Sequence, residues 1–188
     1  ILINKKYLLI FFLFYLSSLT VNLHDDVRSY QLPYINLVQQ YKIIFGLVNI
    51  NDFYVYSHGL YDIMAIFKIP FYENRFIFLI PIIFLIYFIF TIFNYFQNID
   101  EKKIIITYIF LIFSLFLIKF YRSKEFGTDL PVIALIFLSQ IYFLKIFNKF
   151  NNALFAKLII FSLFAFFLKV YSFLVIIFII FFITEIKK

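Results

Sequence analysis

The sequence predicts an all-α membrane protein: a polytopic transmembrane helix bundle of about six spans, with amphipathic juxtamembrane helices in its first outer loop. Of the 188 residues, 65% are hydrophobic and only 14% are charged, whereas a soluble domain has about 45–50% apolar and about 25% charged residues. The apolar residues also form long uncharged runs, and the chain has no cysteine. These features exclude an ordinary soluble enzyme, a disordered chain and a disulfide-stabilised scaffold.

The uncharged runs define the expected spans in chain order. We predict spans near residues 7–23, 76–96, 104–121, 130–147, 154–168 and 171–185. The last two come from one run, Leu158 to Ile183, whose single charge is Lys169. As one helix rising about 1.5 Å per residue, this run would exceed a hydrocarbon core of about 30 Å. We therefore expect a hairpin that is broken near Lys169, with Lys157 snorkelling at the start of its first arm.

Cations in the short connections predict the orientation of the chain. Nine lysines fall on the side of the N-terminus: Lys5, Lys6, Lys102, Lys103, Lys145, Lys149, Lys157, Lys187 and Lys188. Four cations fall on the opposite side: Lys119, Arg122, Lys124 and Lys169. The excess predicts a cytoplasmic N-terminus and an outer loop at residues 24–75. Because the cations lie between apolar runs, we assign the net charge of +7 to contacts with membrane lipids and predict no nucleic-acid partner.

The outer loop contains two amphipathic patterns, separated by a polar linker from Asn49 to Ser57. In the first, apolar residues recur every three or four residues: Leu32, Ile35, Val38, Tyr41 and Phe45. Pro33 suits an early turn of this helix and Gly46 suits its end. The second pattern consists of Leu60, Ile63, Met64 and Phe67 and ends before Pro70. Both predict helices that lie in the membrane interface.

Adjacent carboxylates, Asp25 and Asp26, follow the first predicted span directly. At a water–lipid boundary two neighbouring carboxylates repel each other, which raises the proton affinity of at least one. One of them is then suited to act as a general base, or the pair to share a divalent cation. The alternative is a simple helix cap.

A second charged cluster, RSKEFGTDLP, lies on the same predicted face at residues 122–131. Arg122 and Lys124 are suited to bind a phosphate or pyrophosphate, and Asp129 to oppose Asp26 across a cavity. The alternative is a loop with a capped helix, in which Thr128 or Asp129 is the N-cap. His24 and His58 have no second histidine at helical spacing, which excludes a metal site of the H-E-x-x-H kind.

Three short motifs resemble those of the GT-C superfamily of integral-membrane glycosyltransferases, which includes protein mannosyltransferases and lipid-A aminoarabinose transferases. DVRSYQLP at 26–33 is similar to D-x-x-x-Y-H-L-P in bacterial members. GLVNIN at 46–51 resembles G-L-A-N-L-H, and GTDLP at 127–131 resembles a second acidic element. Gln31 and Asn51 replace the histidines of the first two motifs, so a role at these positions does not carry over.

The resemblance implies sugar transfer from a polyprenyl-phosphate donor to a lipid, glycan or protein acceptor on the outer face of a bacterial inner membrane. Asp26, or Asp25, would be the base or metal-associated carboxylate, and Asp129 its counterpart in the second outer loop. Contacts with the substrate are expected from a set of polar residues on that face: Arg28, Tyr30, His58, Arg122 and Lys124. The resemblance establishes no cofactor, and a divalent cation at Asp25 and Asp26 is the one candidate.

Two further expectations concern the whole protein. The chain starts at Ile1 and stops after an apolar run, so we expect the N-terminal part of a longer protein. The alternative function is that of a non-catalytic polytopic membrane protein, or of a flippase or polymerase of lipid-linked saccharides.

Overall fold

A computed structural model describes residues 12, 16, 25–41, 45–55, 59–68, 77, 79–97, 103–119, 127 and 129–186. Every regular element within these residues is helical, and none of them forms a strand. The all-α prediction is therefore confirmed. The predicted span at 7–23 lies outside the described residues apart from Phe12 and Leu16, which are helical and exposed.

The first described segment is helical from Asp25 onward. A π-helical turn, Val27–Gln31, leads into α1 (Leu32–Gln40), and Pro33 lies in the first turn of α1. Proline is tolerated there because the first N–H groups of a helix have no partner within it.

Helix α1 ends earlier than its apolar pattern predicts. Tyr41 is already extended, with φ −122° and ψ 129°, and Phe45 is 94% exposed. Both side chains are exposed in the part of the chain that the structure describes, so packing there does not reward another helical turn. Gly46 has a φ of +76° and precedes a short 3₁₀ turn, Leu47–Asn49, instead of ending α1.

Helix α2 (Gly59–Ile66) packs against α1, and we call the two helices the α1–α2 pair. Leu60 and Met64 are fully buried, as the amphipathic pattern predicts. Polar contacts join the C-terminal ends of the two helices: Lys68 Nζ donates to Asn36 Oδ1, and Gln39 Nε2 donates to the backbone oxygen of Lys68 at 3.0 Å. The pair is therefore held by apolar burial along its length and by hydrogen bonds at one end.

The rest of the described chain forms a helix bundle. Its helices are α3 (Leu79–Gln97), α4 (Lys103–Lys119), α5 (Asp129–Asn148), α6 (Asn152–Leu168) and α7 (Ile176–Ile186). Helix α5 lies at the centre and packs against α3, α4 and α6. Of the described helices, α5 alone is both long enough and apolar enough to cross a membrane, with 20 residues and a mean hydropathy of 2.0. The apolar parts of its neighbours are shorter.

The bundle changes direction at Lys169. This residue is extended, with φ −157° and ψ 117°, and it separates α6 from the 3₁₀ segment Val170–Val175 that leads into α7. Lys169 pairs with Asp129 at the start of α5. Further along α5, the ring centre of Phe143 lies 5.8 Å from that of Phe181 on α7. Helix α7 therefore runs beside α5 in the same direction and opposite to α6, which makes α6 and α7 a hairpin.

Two ends of the bundle can now be distinguished. At the Lys169 end, α5 begins and α6 ends. At the Lys145 end, cations lie over aromatic rings: Lys145 Nζ is 3.8 Å from the ring centre of Tyr95, and Lys157 Nζ is 5.7 Å from that of Tyr142. Such contacts keep an ammonium group beside an apolar surface without burying it.

The α1–α2 pair joins the bundle through a glycine. A Cβ atom added to Gly59 would lie 2.5 Å from the backbone oxygen of Phe167 and 2.6 Å from its ring. Backbone atoms cannot rotate away as a flexible side chain can, so only glycine allows this approach. Since Phe167 lies two residues before Lys169, the α1–α2 pair is attached close to the Lys169 end.

We predict that Gly59→Ala lowers the free energy of unfolding by about 1–3 kcal/mol, the usual cost of overpacking. At an uncrowded helical position the same change would stabilise by about 0.5–1 kcal/mol, so the sign of the effect is diagnostic. Gly127→Ala is the matched control, because a Cβ there meets nothing within 4 Å. Denaturant titration of the purified protein measures both variants. Equal stability of the two would contradict the close contact.

Candidate functional site

The acidic pair opens the helical segment that leads into α1. Asp25 and Asp26 are both exposed. Asp26 has helical backbone angles, φ −56° and ψ −33°, and its side chain makes no capping hydrogen bond. The simple cap that the sequence left as an alternative is therefore not formed by Asp26. The two carboxylates remain accessible to a solvent-borne or lipid-borne ligand.

The residues that follow the acidic pair lie in the π-helical turn. Arg28 is exposed, and the ring of Tyr30 stacks on that of Phe53 with centroids 4.9 Å apart and an angle of 20°. Short π-helical segments occur frequently at functional sites, because the extra residue redirects side chains out of the helical register. The stack connects the start of α1 to the linker that precedes α2.

Asp129 is the first residue of α5, where a carboxylate is favoured by the positive end of the helix dipole. Its Oδ1 accepts from Nζ of Lys169, and the Asp129 side chain stays 50% exposed while that of Lys169 is 18% exposed. The break in the α6–α7 hairpin thus supplies a cation to the acidic residue predicted at the second outer loop. This pairing joins two positions 40 residues apart.

The acidic segment and the Asp129–Lys169 pair are connected by a series of contacts. The π-helical turn packs on α1, α1 packs on α2, and α2 contacts α6 through Gly59 and Phe167. Lys169 follows α6 directly and binds Asp129. Both predicted acidic elements therefore belong to structure that is attached at the Lys169 end.

Three of the predicted substrate-binding residues, His58, Arg122 and Lys124, lie outside the described residues. Among the residues that are described, no group of three or more His, Cys, Asp or Glu side chains is arranged to hold a metal ion. The divalent cation at Asp25 and Asp26 stays a prediction.

One carboxylate that sequence analysis did not select lies inside the α1–α2 pair. Asp62 of α2 is half-buried, and the buried hydroxyl of Tyr34 on α1 donates to its Oδ1 at 3.0 Å. Burial raises the pKa of Asp62, and the hydrogen bond from Tyr34 lowers it by less. Burial and the nearby Asp62 charge raise the pKa of Tyr34 as well, so Tyr34 remains a donor.

A second buried polar group lies one turn before Tyr34. Gln31 is only 5% exposed. Its Nε2 donates to the Tyr30 hydroxyl at 3.4 Å, whereas its Oε1 is buried without a hydrogen-bond partner. A buried acceptor that lacks a donor costs about 1–3 kcal/mol, and such groups in native structures call for an explanation.

The described chain is an all-α helix bundle with a pair of amphipathic helices and a set of carboxylates at one end. Residues 2–188 match the family described as a domain of unknown function, DUF8201, and the chain belongs to that family. No curated protein and no solved structure matches the chain.

We predict that Asp62→Asn raises the free energy of unfolding at pH 8 by about 1 kcal/mol, because it removes the cost of a half-buried charge and leaves an acceptor for Tyr34. When folding raises the pKa of a carboxyl, the folded protein favours the protonated form of that group. The free energy of unfolding therefore falls as the pH rises through the raised pKa. The advantage of Asn should therefore vanish below about pH 4, where Asp62 is protonated in both states.

Urea or SDS titration between pH 3 and pH 8 measures this difference. Asp52→Asn is the matched control, because Asp52 is an exposed carboxylate of the same loop and its change should leave stability within about 0.5 kcal/mol. A destabilised Asp62→Asn protein at pH 8 would contradict the assignment of Asp62 as a desolvated charge.

Proposed function

We propose that the chain is the membrane-embedded N-terminal part of a GT-C-like glycosyltransferase, which transfers a sugar from a polyprenyl-phosphate donor to an acceptor on the outer face of a bacterial inner membrane. It has about six spans and a cytoplasmic N-terminus. The observation that carries the proposal is that the acidic segment and the Asp129–Lys169 pair are both attached at the Lys169 end. That end corresponds to the predicted outer face.

The surface of the bundle supports a membrane location. Large apolar side chains on several helices are exposed instead of buried, among them Ile83, Phe110, Leu111, Ile160 and Leu163. Soluble monomers rarely expose large contiguous apolar surface, whereas lipid tails cover exposed apolar side chains without cost. Helix α5, which has the length of a span, packs among the other helices, and 56% of its most apolar stretch is buried.

A cleft between α4 and α5 supports a lipid-linked substrate. It has a volume of about 290 Å³ and is lined by Leu115, Phe116, Ile118, Leu130, Ile133, Ile136 and Phe137. Every lining side chain is apolar, and Leu130 directly follows Asp129. An isoprenoid chain in this cleft would bring its phosphate towards the Asp129–Lys169 pair.

The chemistry requires three kinds of group at a membrane boundary. A carboxylate removes the proton of the acceptor hydroxyl, the acceptor oxygen attacks the anomeric carbon, and the phosphate departs with the electrons of the broken C–O bond. We assign the first task to Asp26 or Asp25, which are exposed, and the stabilisation of the leaving phosphate to Lys169 and to the predicted cations Arg122 and Lys124. The arrangement needs no ionisable group in the middle of the bundle.

We predict that the full-length protein in proteoliposomes releases sugar from at least one member of a panel of radiolabelled polyprenyl-phosphate hexoses. Asp26→Asn, or Asp25→Asn, should lower this rate at least about hundredfold, the usual contribution of a general base. Asp52→Asn serves as the control and should leave the rate unchanged. Undiminished rates in both the Asp25 and the Asp26 variants would contradict the assignment. Donor that crosses the bilayer with its glycosidic bond intact would instead favour a flippase.

A further inference from the structure

Two lysines at the Lys145 end lie beside one contact between α5 and α6. The ring of Tyr142 on α5 stacks on that of Phe161 on α6, with centroids 5.5 Å apart and an angle of 4°. Lys145 follows Tyr142 by three residues, and Lys157 precedes Phe161 by four. Both spacings place the lysine one turn beyond the stacked ring on the same helical face. Because α5 and α6 run antiparallel, the two lysines lie at levels that differ by only about 1.5 Å along the helices.

Both ammonium groups border one cluster of tyrosines. Lys157 Nζ lies 5.7 Å from the ring centre of Tyr142, and Lys145 Nζ lies 3.8 Å from that of Tyr95 on α3. The side chain of Tyr142 in turn forms hydrogen bonds with those of Tyr95 and Tyr87. The faces of the rings attract the ammonium groups and keep them at the surface of the bundle. The cluster therefore directs both lysines to the place where α3, α5 and α6 meet.

The helices that form this cluster carry no carboxylate near the two lysines. Residues 79–97 and 130–184 include α3, α6 and all but the first residue of α5, and they contain no Asp or Glu. The next acidic residues along the chain are Asp100 and Glu101, after α3, and Glu185 in the last turn of α7. The helix contact thus holds two positive charges at one level. Their repulsion is offset when an anion binds between them.

An apolar surface between α3 and α6 leads from the lysines towards the middle of the bundle. The ring of Phe161 lies 5.6 Å from that of Tyr87, and about one turn further the ring of Phe164 lies 5.4 Å from that of Phe84. Tyr87 is 44% exposed and Ile83 is 52% exposed, and the three phenylalanines are partly exposed. We call these five residues the α3–α6 surface. An acyl chain can cover it.

The lysines and the α3–α6 surface together identify the chemistry of the ligand. A free phosphate ion would use the lysines alone, whereas a phospholipid would use both features. Basic pockets between membrane helices commonly bind anionic lipid head groups. Lysine is a compact charge on a flexible stem, so Lys145 and Lys157 can both turn towards one phosphate.

We propose that Lys145 and Lys157 bind the phosphate of an anionic phospholipid, whose acyl chain covers the α3–α6 surface. With the predicted cytoplasmic N-terminus, this lipid belongs to the inner leaflet. The site lies at the opposite end of the bundle from the Asp129–Lys169 pair and takes no part in glycosyl transfer. A protein that transfers no sugar would bind the lipid equally well, so the two proposals fail separately.

Native mass spectrometry of the full chain in detergent measures this binding, with phosphatidylglycerol as the probe. We expect one phosphatidylglycerol molecule to bind before any other. Phosphatidylcholine, whose choline group is repelled by the lysines, should bind at least about tenfold more weakly. Equal affinity for the two lipids would overturn the proposal.

Glycerol 3-phosphate distinguishes a lipid from a soluble phosphate, because it has the phosphate group without acyl chains. It should not displace phosphatidylglycerol even at an excess of about a hundredfold, since it cannot bury apolar area against the α3–α6 surface. Displacement by glycerol 3-phosphate would show a site for soluble phosphates and would overturn the assignment of a lipid.

Variants connect the binding to the named residues. Lys145→Gln and Lys157→Gln should each weaken phosphatidylglycerol binding at least about fivefold, the usual contribution of one lysine beside anionic lipid. Lys149→Gln is the matched control, because Lys149 is exposed at the same end of the bundle and its loss changes the net charge equally. Its affinity should stay within about twofold of that of the parent protein.

Folding is checked by the unfolding temperature of each variant in phosphatidylcholine nanodiscs, which should equal that of the parent protein. Lys157→Gln is the safer variant, because Lys157 is exposed. Weakening by the same factor in all three variants would show a general attraction between charges and would overturn the proposal. Parent affinity in both the Lys145 and the Lys157 variants would overturn it as well.

Discussion

The close approach of α2 to α6 requires glycine at position 59, which has no side chain. Gly59 lies against the backbone oxygen and the ring of Phe167, at distances that any Cβ atom would violate. Because Phe167 is two residues from Lys169, this contact sets the position of the α1–α2 pair relative to the Asp129–Lys169 pair. The π-helical turn that follows Asp25 and Asp26 is carried along, since it packs on α1. The polar groups of the α1–α2 pair therefore take their position relative to the Asp129–Lys169 pair largely from one close helix contact.

The carboxylates near this contact have three different surroundings. Asp25 and Asp26 are exposed, Asp129 is paired with Lys169, and Asp62 is half-buried with a tyrosine as its described partner. Environment sets the protonation and the reactivity of a carboxylate, so chemically identical side chains can have different tasks. In the glycosyl transfer that we propose, the exposed pair would take the proton of the acceptor, and the paired residue would provide a fixed charge beside the leaving group.

Local pattern was sufficient to predict much of the fold. The long apolar runs predict helices because they match the length of a membrane-spanning helix, and the break falls at Lys169, the single charge in its run. The burial of Leu60 and Met64 follows from their spacing. The sequence did not predict where α1 ends, because Tyr41 and Phe45 continue the apolar pattern although both are exposed among the described residues.

The local sequence pattern did not predict which polar groups contact each other. Asp129 meets Lys169 over 40 residues and Asp62 meets Tyr34 over 28, so each contact depends on how helices are placed and not on sequence spacing. Asp62 looked like an ordinary residue of a polar helix face. One signal was present: its immediate neighbours, Tyr61 and Ile63, are apolar, which places a charge inside an apolar stretch of α2.

Labelling of single introduced cysteines tests the membrane arrangement most directly. Because the 188 residues contain no cysteine, each introduced thiol is the one that reacts in this chain. Asp52 is exposed in the linker before α2, and Lys149 is exposed at the Lys145 end of the bundle. In intact spheroplasts, a membrane-impermeant maleimide should label Asp52→Cys at once, and should label Lys149→Cys only after permeabilisation. Labelling of both positions from outside, or of Lys149→Cys alone, would contradict a bundle that crosses the membrane with its carboxylates on the outer face.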